Sequence, residues 1–262
     1  MARYASLYWM FLLQRVKILM EYRANFIIGA SSTLMIQASG VLTIWVVMRQ
    51  VPSLNGWSFD EVLLIYGLVT LAKSINHMFA DNLWTIGWNY IRSGQFDRFL
   101  VRPIDPLFHL LADRFCHDGL GHFLTGLVLI AGSTAAMNFE WTIGKFAYAV
   151  VAVLSGGAIF ISLNLLTATT AFWIVESIPF TQIVFNNHEF AKYPLSIYHR
   201  GLQFMLTWIV PYGFASFYPA SYLLGRDVGL MAWLAPVVAG ILLFVSYRFW
   251  QIGLRRYSST GS

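Results

Sequence analysis

Long runs of apolar residues alternate with short polar segments along this chain. The run from Phe26 to Met48 contains no Asp, Glu, Lys or Arg, and about 20 apolar residues are enough for a helix to cross the hydrocarbon core of a bilayer. The other runs are Val62 to Ala80, with a single Lys73, Gly119 to Phe139, Phe146 to Val175, Gly201 to Gly225 and Val228 to Tyr247. The pattern predicts spans at 26–48, 62–80, 118–139, 146–170, 201–218 and 228–250.

The length of these runs indicates helices. In lipid only helices and closed β-barrels satisfy the backbone polar groups, and barrel strands give alternating segments of about 10 residues. Composition agrees, since 58% of the residues are hydrophobic and 11% are charged, whereas soluble domains carry about 25% charged residues. We therefore expect an all-α integral membrane protein with six transmembrane helices.

Positive charges predict the orientation. Thirteen of the 17 Lys and Arg residues precede the first span, lie between spans two and three, precede span five or follow span six. The opposite side receives only Arg49, Lys145 and Arg226. Because cytoplasmic loops are enriched in Lys and Arg, both termini are expected in the cytoplasm, and the chain is expected to be a multi-pass protein of the plasma membrane, the bacterial inner membrane.

Two segments outside the spans are predicted to lie at the membrane surface. In residues 1–25, charges return at Arg15 and Lys17 without a small-residue cleavage site, which favours an interfacial helix over a signal peptide; a charged lead-in to the first span is the alternative. In residues 167–200, Glu176 and Pro179 end the fourth apolar run. We expect a long fourth helix followed by an interfacial helix, with a re-entrant segment as the alternative.

Span two carries a polar stripe. Lys73, His77 and Asp81 are spaced i, i+4 and i+8 on one helix face, with Asn76 beside them. Ionisable residues inside a span rarely face lipid. The stripe therefore predicts a substrate pathway or a subunit interface. The alternative is a Lys–Asp pair near the membrane edge that water partly satisfies.

No enzyme or metal site is expected. Four potential ligands lie near the start of span three: Asp113, Cys116, His117 and His122. Asp113 and His117 are i, i+4, but the remaining ligands of a usual zinc site have no obvious source, so we interpret these residues, and likewise His188 and His199, as interfacial. The chain contains neither G-x-x-x-x-G-K-[ST] nor G-x-S-x-G.

The loop between spans two and three, residues 90–106, carries the most specific motif. Gly94 allows a turn, the following residues mix apolar and charged side chains at helical spacing, and Pro103 and Pro106 end the element. The sequence Ile91 to Pro106, IRSGQFDRFLVRPIDP, resembles the G-x-[FL]-D-x-x-L-[VL]-[RK]-P motif of one branch of the ABC-2-type permeases of ABC exporters. Two later segments are similar to the same branch: YPLSIY from Tyr193, and Val210-Pro211 followed by Y-P-A from Tyr218.

That resemblance implies a half-transporter. Two permease subunits, identical or paralogous, would form the pathway, and a cytoplasmic ABC ATPase dimer would bind ATP and Mg, with no cofactor on this chain and no nucleic acid as partner. The 90–106 loop would be the coupling helix that contacts the ATPase. The implied coupling residues are Arg92, Gln95, Phe96, Asp97, Arg98, Phe99 and Arg102. A membrane scaffold or assembly factor without transport is the alternative function.

Overall fold

The structure is a computed structural model that describes residues 23–113, 116, 118–174 and 176–258; apart from one bridge pair at Leu54 and Trp57, the regular secondary structure in these ranges is helical. The α-helices are α1 Arg23–Gln50, α2 Phe59–Ala80, α3 Asp97–Leu100, α4 Pro106–Asp113, α5 Asp118–Ala136, α6 Ile143–Thr169, α7 Ile178–Asn186, α8 Arg200–Phe204, α9 Phe217–Leu223 and α10 Ala235–Arg256. The predicted interfacial segment 1–25 lies almost wholly outside the described residues.

Within the described residues, five helices are long and apolar enough to cross a membrane: Ser31–Gln50, Phe59–Thr85, Asp118–Ala136, Ile143–Phe172 and Ala235–Arg256. They confirm an all-α membrane protein. Helix α2 is the most buried of them. It begins at a capping box in which the Ser58 hydroxyl accepts a hydrogen bond from the Glu61 amide while the Glu61 carboxylate accepts one from the Ser58 amide.

Helices α2 and α5 pack closely through glycine. A Cβ atom on Gly126 would lie 2.7 Å from the Leu71 side chain, and one on Gly119 would lie 2.6 Å from Met78. The earlier residue of α5, Gly119, faces the later residue of α2, Met78, and Gly126 faces the earlier Leu71, so the two helices are antiparallel. Small residues at such contacts allow membrane helices to approach each other.

Helices α6 and α10 run in parallel. The Tyr148 hydroxyl, near the start of α6, donates a hydrogen bond to the Ala232 carbonyl just before α10. At the other end of the pair, Gly253 lies against Phe172 and Thr169. We call these two ends of the bundle the Trp57 end and the Phe96 end. Because both helices start at the Trp57 end, the chain between them must return across the bundle.

Residues 178–196 make that return as a broken segment. Phe185 contacts Trp84, with ring centroids 4.9 Å apart, towards the Phe96 end. Ser196 accepts a hydrogen bond from Asn55 at the Trp57 end. Between them α7 passes into a 3₁₀ helix over Asn187–Lys192. The structure therefore differs from the interfacial helix predicted for this region. The buried His188 and Lys192 of this segment both pair with Glu189, which lowers the cost of burying them.

The prediction of a continuous span over 201–218 is wrong. Helix α8 passes into a π-helix at Met205–Ile209 and then breaks at Val210 and Pro211, because proline has no backbone donor to continue the helix. Tyr212 stacks on Phe160 of α6 at 4.5 Å, and α9 then leads back to Arg226, whose guanidinium binds Glu61 at the Trp57 end. This segment is a hairpin that enters and leaves at one end.

The new course of the chain also moves two charges. Lys192 and Arg200 are two of the 13 basic residues that the sequence assigns to the cytoplasmic side. In the structure Lys192 is buried beside α2, and Arg200 follows Ser196 at the Trp57 end. The loops and the C-terminus at the Phe96 end still carry most of the remaining positive charge.

Candidate functional site

Two polar stripes face each other across a cavity of about 340 Å³, which we call the polar groove. On α2, Lys73, His77 and Asp81 are partly exposed, and on the broken segment, Asn186 is exposed. The lining residues are Lys73, His77, Asp81, Trp84, Thr85, Phe185, Asn186 and His188. The exposed Gln182 and Glu189 extend the second stripe along the helix, at the spacing of a single face.

Lys73 pairs with the broken segment and not with its own helix. Its Nζ lies 2.7 Å from Nε2 of His188. Asp81 is two turns further along α2, a rise of about 12 Å, and its carboxylate lies 3.3 Å from Nδ1 of His77. The alternative interpretation of the stripe as a Lys73–Asp81 pair is therefore wrong.

The broken segment carries its own ion pair. Both carboxylate oxygens of Glu189 accept hydrogen bonds from Lys192 Nζ, at 2.8 and 2.6 Å. The Lys192 side chain is only 10% exposed, and its ammonium lies 5.0 Å from the centre of the Tyr66 ring. Sequence reasoning missed this pair because Asn186 to Lys192 reads as a polar surface run; the i, i+3 spacing of Glu189 and Lys192 was the available signal.

Asn76 lies on a different face of α2. It is buried, and its Oδ1 accepts a hydrogen bond from Asn164 of α6 at 3.2 Å. Asn164 also donates to the Ala80 carbonyl at 3.0 Å. Asn76 therefore ties two helices together and does not line the groove. His122 of α5, in contrast, stacks on His77 with ring centroids 4.9 Å apart.

The 90–106 loop folds back onto the C-terminal helix. Gly94 adopts φ +70°, a conformation that favours glycine, and this turn lets Phe96 point inwards. Phe96 and Phe99 are fully buried, and Phe96 contacts Phe172, Trp250 and Tyr257, with ring centroids 5.3, 6.1 and 4.9 Å away. The expectation that these two rings contact an ATPase directly does not fit this packing.

Polar contacts hold the same loop. The Tyr257 hydroxyl donates to Asp97 at 2.8 Å, and burial together with this bond raises the pKa of Tyr257 to about 12. Arg98 binds Asp113 at 2.8 Å. Arg102 lies 3.3 Å from His109, and burial, reinforced by Arg102, holds the pKa of His109 below its usual range.

The outer surface of the loop is mixed. Among the residues predicted for coupling, Arg92, Gln95, Arg98 and Arg102 are exposed, and Asp97 is half-buried. Leu100 and Val101, which were not predicted as contact residues, are 42% and 81% exposed. They follow Phe99 directly, and their position opposite the buried rings could have been read from the helical spacing.

The potential metal ligands do not converge in the part of the chain that the structure describes. No group of three or more His, Cys, Asp or Glu side chains is placed to hold a metal ion there. Cys116 is buried, and His117 lies outside the described residues.

The comparisons with known proteins agree with the resemblance in the 90–106 loop. Residues 34–261 match the model of a family described as ABC-2 family transporter protein. No match is found among curated proteins or solved structures. Because the family match covers most of the chain, the chain belongs to the ABC-2 transporter family. Permeases of this family are generally non-catalytic, with the ATPase in a separate subunit.

Proposed function

We propose that this chain is the membrane-spanning permease subunit of an ATP-driven ABC exporter. It pairs with a second permease subunit, identical or paralogous, and with two cytoplasmic ATPase subunits that bind ATP and Mg, and it moves a substrate across the plasma membrane, the bacterial inner membrane. The polar groove is the observation that carries the proposal beyond family membership.

The position of the groove favours transport over a scaffold role. Lys73 lies in the middle of α2, and His77 and Asp81 follow towards the Phe96 end. Charged groups at such depth are rarely turned to lipid, and they usually face water or another protein. The groove therefore forms part of the translocation pathway, and a second permease subunit closes its open side.

The charge distribution supports a six-crossing topology. The five candidate spans and the broken segment 178–196 make an even number, so both ends of the described chain lie at the Phe96 end. We assign this end to the cytoplasm because the 90–106 loop and Arg255 and Arg256 lie there. The hairpin over residues 200–223 then opens to the outside.

The 90–106 loop is the coupling element, and its two faces have different roles. Phe96 and Phe99 fix its shape against α10, while the exposed Val101 and Arg102, with Leu100 beside them, are available to the ATPase. Arg is among the residue types that contribute most at protein interfaces, and burial of Leu100 and Val101 would add favourable apolar area. A loop with a rigid base can transmit a displacement of the ATPase to α10 and hence to the bundle.

The test is isolation of the tagged chain in mild detergent, with mass spectrometry of the copurifying proteins. We expect an ATPase subunit with a Walker A sequence in a fixed ratio to the permease. Val101→Glu should reduce its recovery about tenfold or more, because a buried unpaired carboxylate is costly at an interface. Ile143→Glu is the control, since Ile143 is 91% exposed at the opposite end. A scaffold would yield no ATPase with either variant or with the unmodified chain.

A further inference from the structure

Two ammonium groups, those of Lys73 and Lys192, lie beside the polar groove, and within the described ranges only that of Lys192 binds a carboxylate. Lys192 holds both oxygens of Glu189. Lys73 is part of no ion pair among the described residues. Asp81, the other carboxylate of the groove, binds His77 about 12 Å further along α2. The charge of Lys73 is therefore not neutralised within the described part of the chain.

His188 does not supply the missing negative charge in either protonation state. Its Nδ1 faces the Phe185 carbonyl, and its Nε2 faces both Lys73 Nζ at 2.7 Å and Glu189 Oε1 at 3.0 Å. A neutral ring that donates from Nδ1 can accept from Lys73 at Nε2, but it leaves the lysine charge in place. A cationic ring can donate from Nε2 to Glu189, but it adds a further positive charge next to Lys73.

We propose that the polar groove binds a phosphate or carboxylate group at Lys73. The inference deepens the proposed function, since it gives the chemical class of a substrate in the same pathway. An ammonium group in a poorly solvated site attracts a counter-ion strongly, because its own hydration is incomplete. Lysine is also a common point-charge ligand for phosphate.

The remaining walls of the groove fit an amphiphile. Trp84 and Phe185 lie in edge-to-face contact, and both line the same cavity as Lys73. Asn186 adds an exposed amide at the same wall. The anionic group would sit at Lys73, an attached hydroxyl or amide would meet Asn186, and an apolar portion would lie along the aromatic rings.

The experiment measures the thermal stabilisation of the purified full-length chain in neutral detergent. Three probes are titrated: decyl phosphate, inorganic phosphate, and decyl maltoside as an uncharged ligand with the same tail. We expect decyl phosphate to raise the melting temperature of the unmodified chain and decyl maltoside to have no such effect. A Lys73-dependent shift with inorganic phosphate would identify the free anion as a sufficient ligand, whereas a shift with decyl phosphate alone would identify the amphiphile.

Three variants decide whether Lys73 is responsible. Lys73→Gln should raise the half-saturating concentration of decyl phosphate about tenfold or more, the effect of losing a charged hydrogen bond. Lys73→Arg keeps the charge and should keep the shift, which guards against a folding defect in the first variant. Lys145→Gln, at a partly exposed lysine of the Trp57 end, is the matched control and should respond like the unmodified chain.

An equal response of the unmodified chain and Lys73→Gln, or no response of the unmodified chain to either phosphate, would overturn the proposal. Neither result would touch the permease assignment, because the titration contains no ATPase. Loss of ATPase copurification with an intact Lys73-dependent shift would be the opposite case, an anion site on a chain that is not a permease.

Discussion

Phe96→Ala separates the internal role of the 90–106 loop from its contact surface. Phe96 is fully buried at the centre of an aromatic group formed with Phe99, Phe172, Trp250 and Tyr257. The contacts with Phe172, Trp250 and Tyr257 join the loop to other elements of the Phe96 end. We therefore expect the substitution to release the loop from α10, while α2 and α5, which make none of these ring contacts, stay folded.

The magnitude follows from the burial. Truncation of a fully buried phenylalanine to alanine costs about 3–5 kcal/mol, because the transfer free energy of the ring is lost and a cavity remains. Each 1.4 kcal/mol is a factor of ten in an equilibrium constant. Local opening of the loop should thus become roughly 10²- to 4 × 10³-fold more frequent.

Hydrogen–deuterium exchange with mass spectrometry reports that opening directly. Amides of the 90–106 loop should exchange faster by the same factor in Phe96→Ala, with little change in α2 or α5. Phe146→Ala is the control, because Phe146 is 62% exposed at the other end of the bundle. Unchanged exchange in the loop of Phe96→Ala would refute the reasoning, and so would a uniform increase over the whole chain.

Three further predictions test topology, pH dependence and helix packing. Single cysteines at Ser53 and Ser258, in a chain without the native cysteine, should label from opposite sides of the membrane, and labelling of both from outside would contradict the six-crossing topology. Burial lowers the pKa of His109 on α4, which contacts Arg102 of the 90–106 loop. When the loop opens, the His109 side chain therefore binds a proton more readily. Loop protection should therefore fall as the pH drops below about 6.5, and His109→Asn should remove this dependence. Gly126→Ala should destabilise the bundle by about 1–3 kcal/mol, since its Cβ would lie within 3 Å of a neighbouring helix. Gly132→Ala, with no neighbour within 4 Å, should be tolerated in the same thermal unfolding assay.

Apolar length alone predicts the regular part of this fold. A helix that crosses lipid needs about 20 apolar residues and no partner for its backbone, so the run at 26–48 corresponds to α1 and the run at 146–170 to α6. The same rule fails at 201–218, because Pro211 interrupts a run whose hydropathy is sufficient. The hairpin there is stabilised by packing of Tyr212 on Phe160, a contact between distant segments that no local pattern contains.

The site was only half predictable for a related reason. Helical spacing placed Lys73, His77 and Asp81 on one face, because that spacing is local. The partner of Lys73 is His188, 115 residues later, and nothing in either sequence neighbourhood specifies the pairing. Asn76 shows the converse, since proximity in sequence grouped it with the stripe while its side chain serves the contact with Asn164.

The charges of the broken segment bear on the proposed six-crossing topology. Glu189 and Lys192 would each be costly in lipid alone. Paired with each other, and shielded by Tyr66 and α2, they can cross with the broken segment. That compensation leaves Lys73 as the cation of the polar groove that has no carboxylate partner among the described residues. A hydropathy rule assigns such a segment to the surface because it scores each charged residue separately. In the folded protein the two charges form an ion pair, which is less costly to bury than either charge alone. The unpaired remainder is then the group that a ligand can satisfy.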